Sequence, residues 1–168
     1  MGTPGSAGSL KASVDVGDNR VTVLRKVFDL PPSAVFRPVW HKTERIDQQA
    51  HMTWRAPSHL LLDLGIMPPG GSLEDGMHFP SAHLLTPETE SSTHYFFANA
   101  RNFLVDDDAF NDVVLAVFRQ AFGEEDRPII EAIQRAAVDP EDGFKAVDFT
   151  TGDGAASRAR RMLDTLTR

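Results

Sequence analysis

The chain contains no cysteine. Within these residues that excludes a disulfide scaffold, a thiol nucleophile, a Cys-ligated zinc site and an iron–sulfur cluster held by Cys. Positive charge is also scarce: 17 Lys and Arg stand against 24 Asp and Glu, a net of −7. Nucleic acid and anionic membrane need a local basic excess, so neither is expected as a partner. Long apolar runs are missing too. Leu60-Leu61-Leu62 meets Asp63 at once, and nothing in the sequence is long enough to span a bilayer. Residues 1–9 are rich in Gly, Ser, Ala and Pro, with no basic segment leading into an apolar one. They read as a flexible leader and not a secretory signal, which makes a cytoplasmic location the default. There is no Gly-x-Gly-x-x-Gly after a strand, no phosphate-cradling loop and no Gly-x-Ser-x-Gly elbow.

What is present is the composition of an ordinary globular domain. The 168 residues are 41% apolar and 24% charged, enough to bury a single core. Leu10, Ala12, Val14 and Val16 alternate with polar residues, and Val21, Val23 and Val27 resume the alternation beyond the turn residues Gly17-Asp18-Asn19. Residues 10–28 therefore read as a hairpin. Pro31, Pro32 and Pro38 make residues 30–40 a loop. Strands are expected near 51–55, at 59–67 with Leu60, Leu62, Leu64 and Ile66 on one face, at 77–86 and at 93–103. From Asp107 the period changes: Phe110, Val114, Phe118 and Phe122 recur at four-residue spacing, the mark of an amphipathic helix. Pro128 should kink or restart it near 123–126, after which Ile129, Ile130, Ile133 and Ala137 carry the apolar stripe on. A polar loop and a short Arg-bearing helix at 154–166 close the chain. The fold class is α+β. About six antiparallel strands are expected to wrap on a long C-terminal helix, a helix-grip arrangement with room for a small ligand beneath the helix.

Two residues stand out chemically. Met77, Phe79, Ser81, His83 and Leu85 share a strand face, so His83 points inward among apolar side chains. Either it offers a hydrogen bond to a ligand oxygen, charge-assisted if the ring is protonated, or it is a core histidine satisfied by a backbone carbonyl. Pattern alone favours the core role. Asp126 lies on or beside the buried face of the long helix, as does Glu125. A carboxylate there either binds a metal or, two residues before Pro128, caps a helix, and the residue pattern favours the cap. The six histidines form no helical pair of metal-ligand spacing. Arg158, Arg160 and Arg161 read as a solvated helix face, with docking of an acidic redox partner as the alternative.

The run His83-Leu84-Leu85-Thr86-Pro87-Glu88-Thr89-Glu90, followed by Thr93-His94-Tyr95-Phe96-Phe97 and Arg101-Asn102-Phe103, resembles the C-terminal catalytic domain of Rieske non-haem iron oxygenases of the vanillate O-demethylase and dicamba monooxygenase type. Glu125-Asp126-Arg127-Pro128-Ile129-Ile130-Glu131 resembles that family's Glu-Asp-x-x-x-x-Glu segment, and residues 155–166 resemble its Arg-rich terminal helix. The likeness runs from about Leu10 to the end, with one helix-grip domain at 10–168.

The resemblance implies oxidative O-demethylation or hydroxylation of an aromatic acid, Asp126 as the carboxylate ligand of a mononuclear Fe(II), and His83 as a substrate contact. Leu62, on the leucine face, is the second substrate-binding candidate. No residue is assigned a catalytic role. The family's [2Fe–2S] cluster needs Cys-x-His and Cys-x-x-His, and its other iron ligands come from an Asp-x-x-His-x4-His segment that precedes the sheet; there is no cysteine here, and no such segment stands before the first expected strand. By resemblance, then, Fe(II) belongs to the complete enzyme and not to this chain alone, and no Rieske domain is expected in it. The implied partners are an aromatic carboxylic acid and a Rieske-containing chain or reductase, and family members are homotrimers. A stand-alone, non-redox ligand-binding protein on the same scaffold and an inactive fragment are the competing readings.

Overall fold

The computed structural model describes residues 10–33, 36–139, 143–144 and 153–167. The leader at 1–9 and most of the polar loop before the last helix lie outside them. The chain divides into a sheet unit, Met1–Phe103 with Asp153–Arg168, and a helical unit, Leu104–Gly152.

In the sheet unit six strands follow one another in space as they do in sequence: β1 (Leu10–Gly17), β2 (Arg20–Leu30), β3 (Ile46–Arg55), β4 (His59–Met67), β5 (Met77–Pro87) and β6 (Thr93–Asn99), every neighbour antiparallel. Between β1 and β2 Asn19 takes φ 56°, a conformation Asn tolerates better than most residues. The β2–β3 register slips between Val27 and Leu30. There the Asp47 carboxylate, buried at 8% exposure, accepts the Asp29 amide at 2.9 Å and the Gly70 amide at 2.8 Å. One carboxylate thus holds an irregular strand and the β4–β5 connection together, its own burial offset by two charge-assisted hydrogen bonds.

The register stacks side chains into rows. Val21, Trp54, Leu60, His83 and Phe97 form one row, and Val23, Met52, Leu62, Ser81 and Asn99 the next, all on one sheet face. Toward one end of this face lies a dry core in which Leu30, Ile46, Ile66 and Phe79 are buried. Phe36, from the proline loop, and Phe103 close over it, with the Phe103 ring centroid 6.3 Å from those of both Phe36 and Phe79. Of the expected leucine face, Ile66 is fully buried, and Leu60, Leu62 and Leu64 are half-buried. Helix α3 (Gly154–Leu166) has the expected bounds, packs on β2 and leaves Arg158, Arg160 and Arg161 exposed.

The helical unit opens with Asp107, whose carboxylate accepts the Phe110 amide at 2.9 Å and caps α1 (Asp108–Phe118). The kink or restart expected near 123–126 takes the form of a widening of the helix, without interruption. The chain continues through a wide π-helical stretch, Arg119–Asp126, into α2 (Arg127–Ala137), with the Arg127 amide bonded to the Phe122 carbonyl five residues back. Proline supplies no N–H to the carbonyl four residues before it, and widening the turn spares the helix that clash. Asp126 is therefore an internal helical residue, which corrects the capping interpretation. A two-residue pair, β7 (Val138–Asp139) with β8 (Gly143–Phe144), follows. Among the described residues no helix is long and apolar enough to cross a membrane.

Candidate functional site

Alternation along β5 aims Phe79, Ser81 and His83 at the same face, and the cross-strand register sets Leu62 opposite Ser81 and Leu60 opposite His83. The hairpin from β5 to β6 fixes the third partner. Its turn is closed by the Glu88 and Thr89 amides donating to the Ser92 carbonyl at 3.0 and 3.2 Å, and by the Ser92 hydroxyl donating to Glu88 at 2.9 Å. The Thr-Pro-Glu-Thr-Glu motif is accordingly turn chemistry. It sets Phe97 opposite His83 and Tyr95 opposite Leu85, so Tyr95 is a diagonal neighbour of His83 on the same face.

The result is a hydrogen-bonded row. His83 Nε2 lies 3.1 Å from Ser81 Oγ, and Nδ1 lies 2.6 Å from the Tyr95 hydroxyl. The His83 and Tyr95 rings are 5.8 Å apart at 31°. Ser81 and His83 are buried, whereas Tyr95 is 41% exposed. Burial pushes the His83 pKa down, because the charged ring loses solvation. The partners of His83 thus include two side-chain hydroxyls, and burial disfavours the charged ring on which a charge-assisted bond to a ligand would depend.

The other strand histidines lie elsewhere. His51, His59, His78 and His94 all fall on the opposite sheet face, as their register positions require. His78 Nε2 sits 2.8 Å from the Leu73 carbonyl, with Nδ1 3.5 Å from Asp63, and His94 is 3.5 Å from Glu88. Alternation therefore keeps His83 on the face opposite the other four strand histidines. Asn102 completes the motif stretch by imitating a strand residue. Its side chain accepts the His78 amide at 2.7 Å and donates to the Gly76 carbonyl at 3.3 Å, which places Phe103 over the core.

Asp126 is exposed at the end of the π-helical stretch, while neighbouring Glu125 accepts a hydrogen bond from Gln120 at 3.1 Å. Among the described residues no group of three or more His, Cys, Asp or Glu side chains could hold a metal ion. Asp126 therefore belongs to no such group among the described residues. Ser81 and Tyr95 were missed as functional candidates. Ser81 already stood on the His83 face, and Tyr95 is the chain's single tyrosine, but only the hairpin register brings the two together.

Residues 1–168 match the vanillate O-demethylase oxygenase C-terminal domain. The oxygenase component of dicamba O-demethylase from Stenotrophomonas maltophilia is 32% identical over 158 residues, 94% of this chain and 47% of that protein. The oxygenase component of chloroacetanilide N-alkylformylase from Rhizorhabdus wittichii is 35% identical over 139 residues, 81% of this chain and 39% of that one. The crystal structure of dicamba monooxygenase bound to 3,6-dichlorosalicylic acid superposes with a TM-score of 0.83 at 32% identity, covering 94% of this chain and 46% of the other. A second, with non-haem iron and dicamba, gives 0.78 at 30% identity, covering 93% and 48%. This chain spans about half the length of these relatives or less. Sequence and fold agree, and the chain belongs to the vanillate O-demethylase oxygenase C-terminal domain family.

Proposed function

We propose that this chain is the substrate-binding portion of an oxygenase that demethylates or hydroxylates an aromatic acid, with the acid held on the sheet face that carries His83 and Leu62. The observation that carries this reading is the Ser81–His83–Tyr95 row: a polar, hydrogen-bonding strip, buried at Ser81 and His83 and open to solvent at Tyr95, set beside half-buried leucines. Such a strip offers an aromatic ring an apolar bed and its oxygens a donor, the usual makeup of a small-molecule site. Relatives support the substrate class, since dicamba monooxygenase is seen with dicamba and with 3,6-dichlorosalicylic acid. In this reading Asp126 is the carboxylate given to the Fe(II) of the complete enzyme, where the iron supplies oxygen activation. The other ligands and the electron-delivering Rieske cluster come from outside the described residues. What this chain's own residues do is bind and orient: Leu62 packs on the ring and His83 fixes an oxygen.

The test is titration of 3,6-dichlorosalicylate into the chain and into His83→Ala, with thermal melts of both. Losing one hydrogen bond should weaken binding by roughly three- to tenfold. Equal affinities alongside a lowered melting temperature would make His83 a purely structural residue.

A further inference from the structure

We propose that Tyr95 is the positioning residue of this site: its hydroxyl donates to His83 Nδ1 and so fixes the neutral imidazole with its single proton on Nε2, aimed at the place Ser81 now fills. Where this concerns ligand, it rests on the function proposed above.

The argument is one of proton counting. A neutral imidazole carries one N–H and one lone pair, and both nitrogens of His83 face a hydroxyl, which can give or take. Only two assignments satisfy both contacts. In the first, Nδ1–H donates to Tyr95 and the Ser81 hydroxyl donates to Nε2. In the second, Tyr95 donates to Nδ1 and Nε2–H donates to Ser81. Chemistry separates them. A phenol, with a pKa of about 10, is far more acidic than an aliphatic hydroxyl, so it is the stronger donor and the weaker acceptor. The 2.6 Å contact to Tyr95 is correspondingly shorter than the 3.1 Å contact to Ser81. The short bond is the phenol's, and the proton stays on Nε2.

The consequence is a preset donor. Nε2–H meets a weak acceptor in Ser81 Oγ, and a ligand oxygen, above all a carboxylate, accepts more strongly. Such an oxygen takes the N–H from Ser81 without any change of tautomer or ring charge. Tyr95 acts through His83, just as a partner on the far nitrogen of a metal-bound histidine sets which nitrogen is available to the metal.

The experiment reads the tautomer directly, by long-range 1H–15N correlation of the imidazole nitrogens in the full chain labelled at histidine. The wild type should show Nδ1 as the unprotonated nitrogen and Nε2 as the protonated one. Tyr95→Phe keeps the ring and removes the hydroxyl, and should shift His83 toward the other tautomer or a mixture. Ser81→Ala should leave Nε2–H in place. A wild-type His83 protonated at Nδ1, or a Tyr95→Phe spectrum with unchanged tautomer, would overturn the proposal, and the wild-type spectrum decides even if a variant fails to fold. Benzoate supplies the second arm. If it binds the wild type, Tyr95→Phe should weaken it roughly three- to tenfold and Ser81→Ala should not; equal binding by wild type and Tyr95→Phe overturns the proposed role. If benzoate does not bind the wild type, the proposed function is what fails, and the tautomer alone then decides the positioning role.

Discussion

Two ends of one sheet face share the same strands and the same alternation, yet they do different things. At one end Ile46, Ile66 and Phe79 lie under Phe36 and Phe103 with almost no exposure. At the other, two residues further along β5, the same inward positions hold Ser81 and His83, with Tyr95 half in solvent beside them. The first end gains stability from apolar area removed from water; the second buries polar atoms, pairing Ser81 with His83 but leaving the Asn99 side-chain oxygen opposite Ser81 without a hydrogen-bond partner among the described residues. Strand periodicity says only that a residue points inward. Whether that position belongs to a core or to a site depends on what the neighbouring strand sets across from it.

The sharpest way to separate the two ends is to damage one and watch the other. Phe36 is 1% exposed, and Phe36→Ala should cost about 3–5 kcal/mol, read by chemical denaturation. In the folded variant the His83 ring signals should stay as in the wild type. A change in them comparable to that of Tyr95→Phe would mean that core and site are one unit.

A smaller effect is expected at Asp47, which serves the dry end through two backbone amides. Asp47→Ala leaves both donors without their carboxylate and should cost about 1.5–3 kcal/mol by the same denaturation measurement. A cost near zero would show that the strand irregularity is held by the backbone alone.

The smallest effect is in pH. Burial lowers the folded-state pKa of His83 beneath its unfolded value of about 6.5, so between the two the unfolded chain binds more protons. The resulting contribution to stability is complete above the unfolded pKa and is lost as pH falls toward the folded one. Melting curves of wild type and His83→Gln across that range should converge on acidification. Curves that run parallel would contradict a buried neutral ring.

Much of this was legible in the sequence, and the failures have physical causes. Alternation placed β4 at its observed limits because it has a clear face, and the Arg-bearing stretch 154–166 read as the helix α3 with its observed bounds. The first half of β3, Ile46 to Ala50, is polar and was missed, since backbone pairing between two neighbours needs no alternation. The last strand was expected to reach Phe103 but stops at Asn99, because Asn102 supplies strand-like hydrogen bonds from its side chain. The helix passes Pro128 by widening, an option that proline statistics do not carry. His83 was identified, but its partners were not, because a diagonal contact to Tyr95 depends on register and register depends on the turn.

The most direct test of the central claim, that the polar end of this face is the ligand site, is to map where an aromatic acid lands. Amide and ring chemical shifts of the labelled chain, followed during titration with 3,6-dichlorosalicylate, should move at Leu62, Ser81, His83 and Tyr95 and hold still at Ile46, Ile66 and Phe79. Saturable shifts confined to the dry end or to the opposite sheet face, with His83 unmoved, would contradict it.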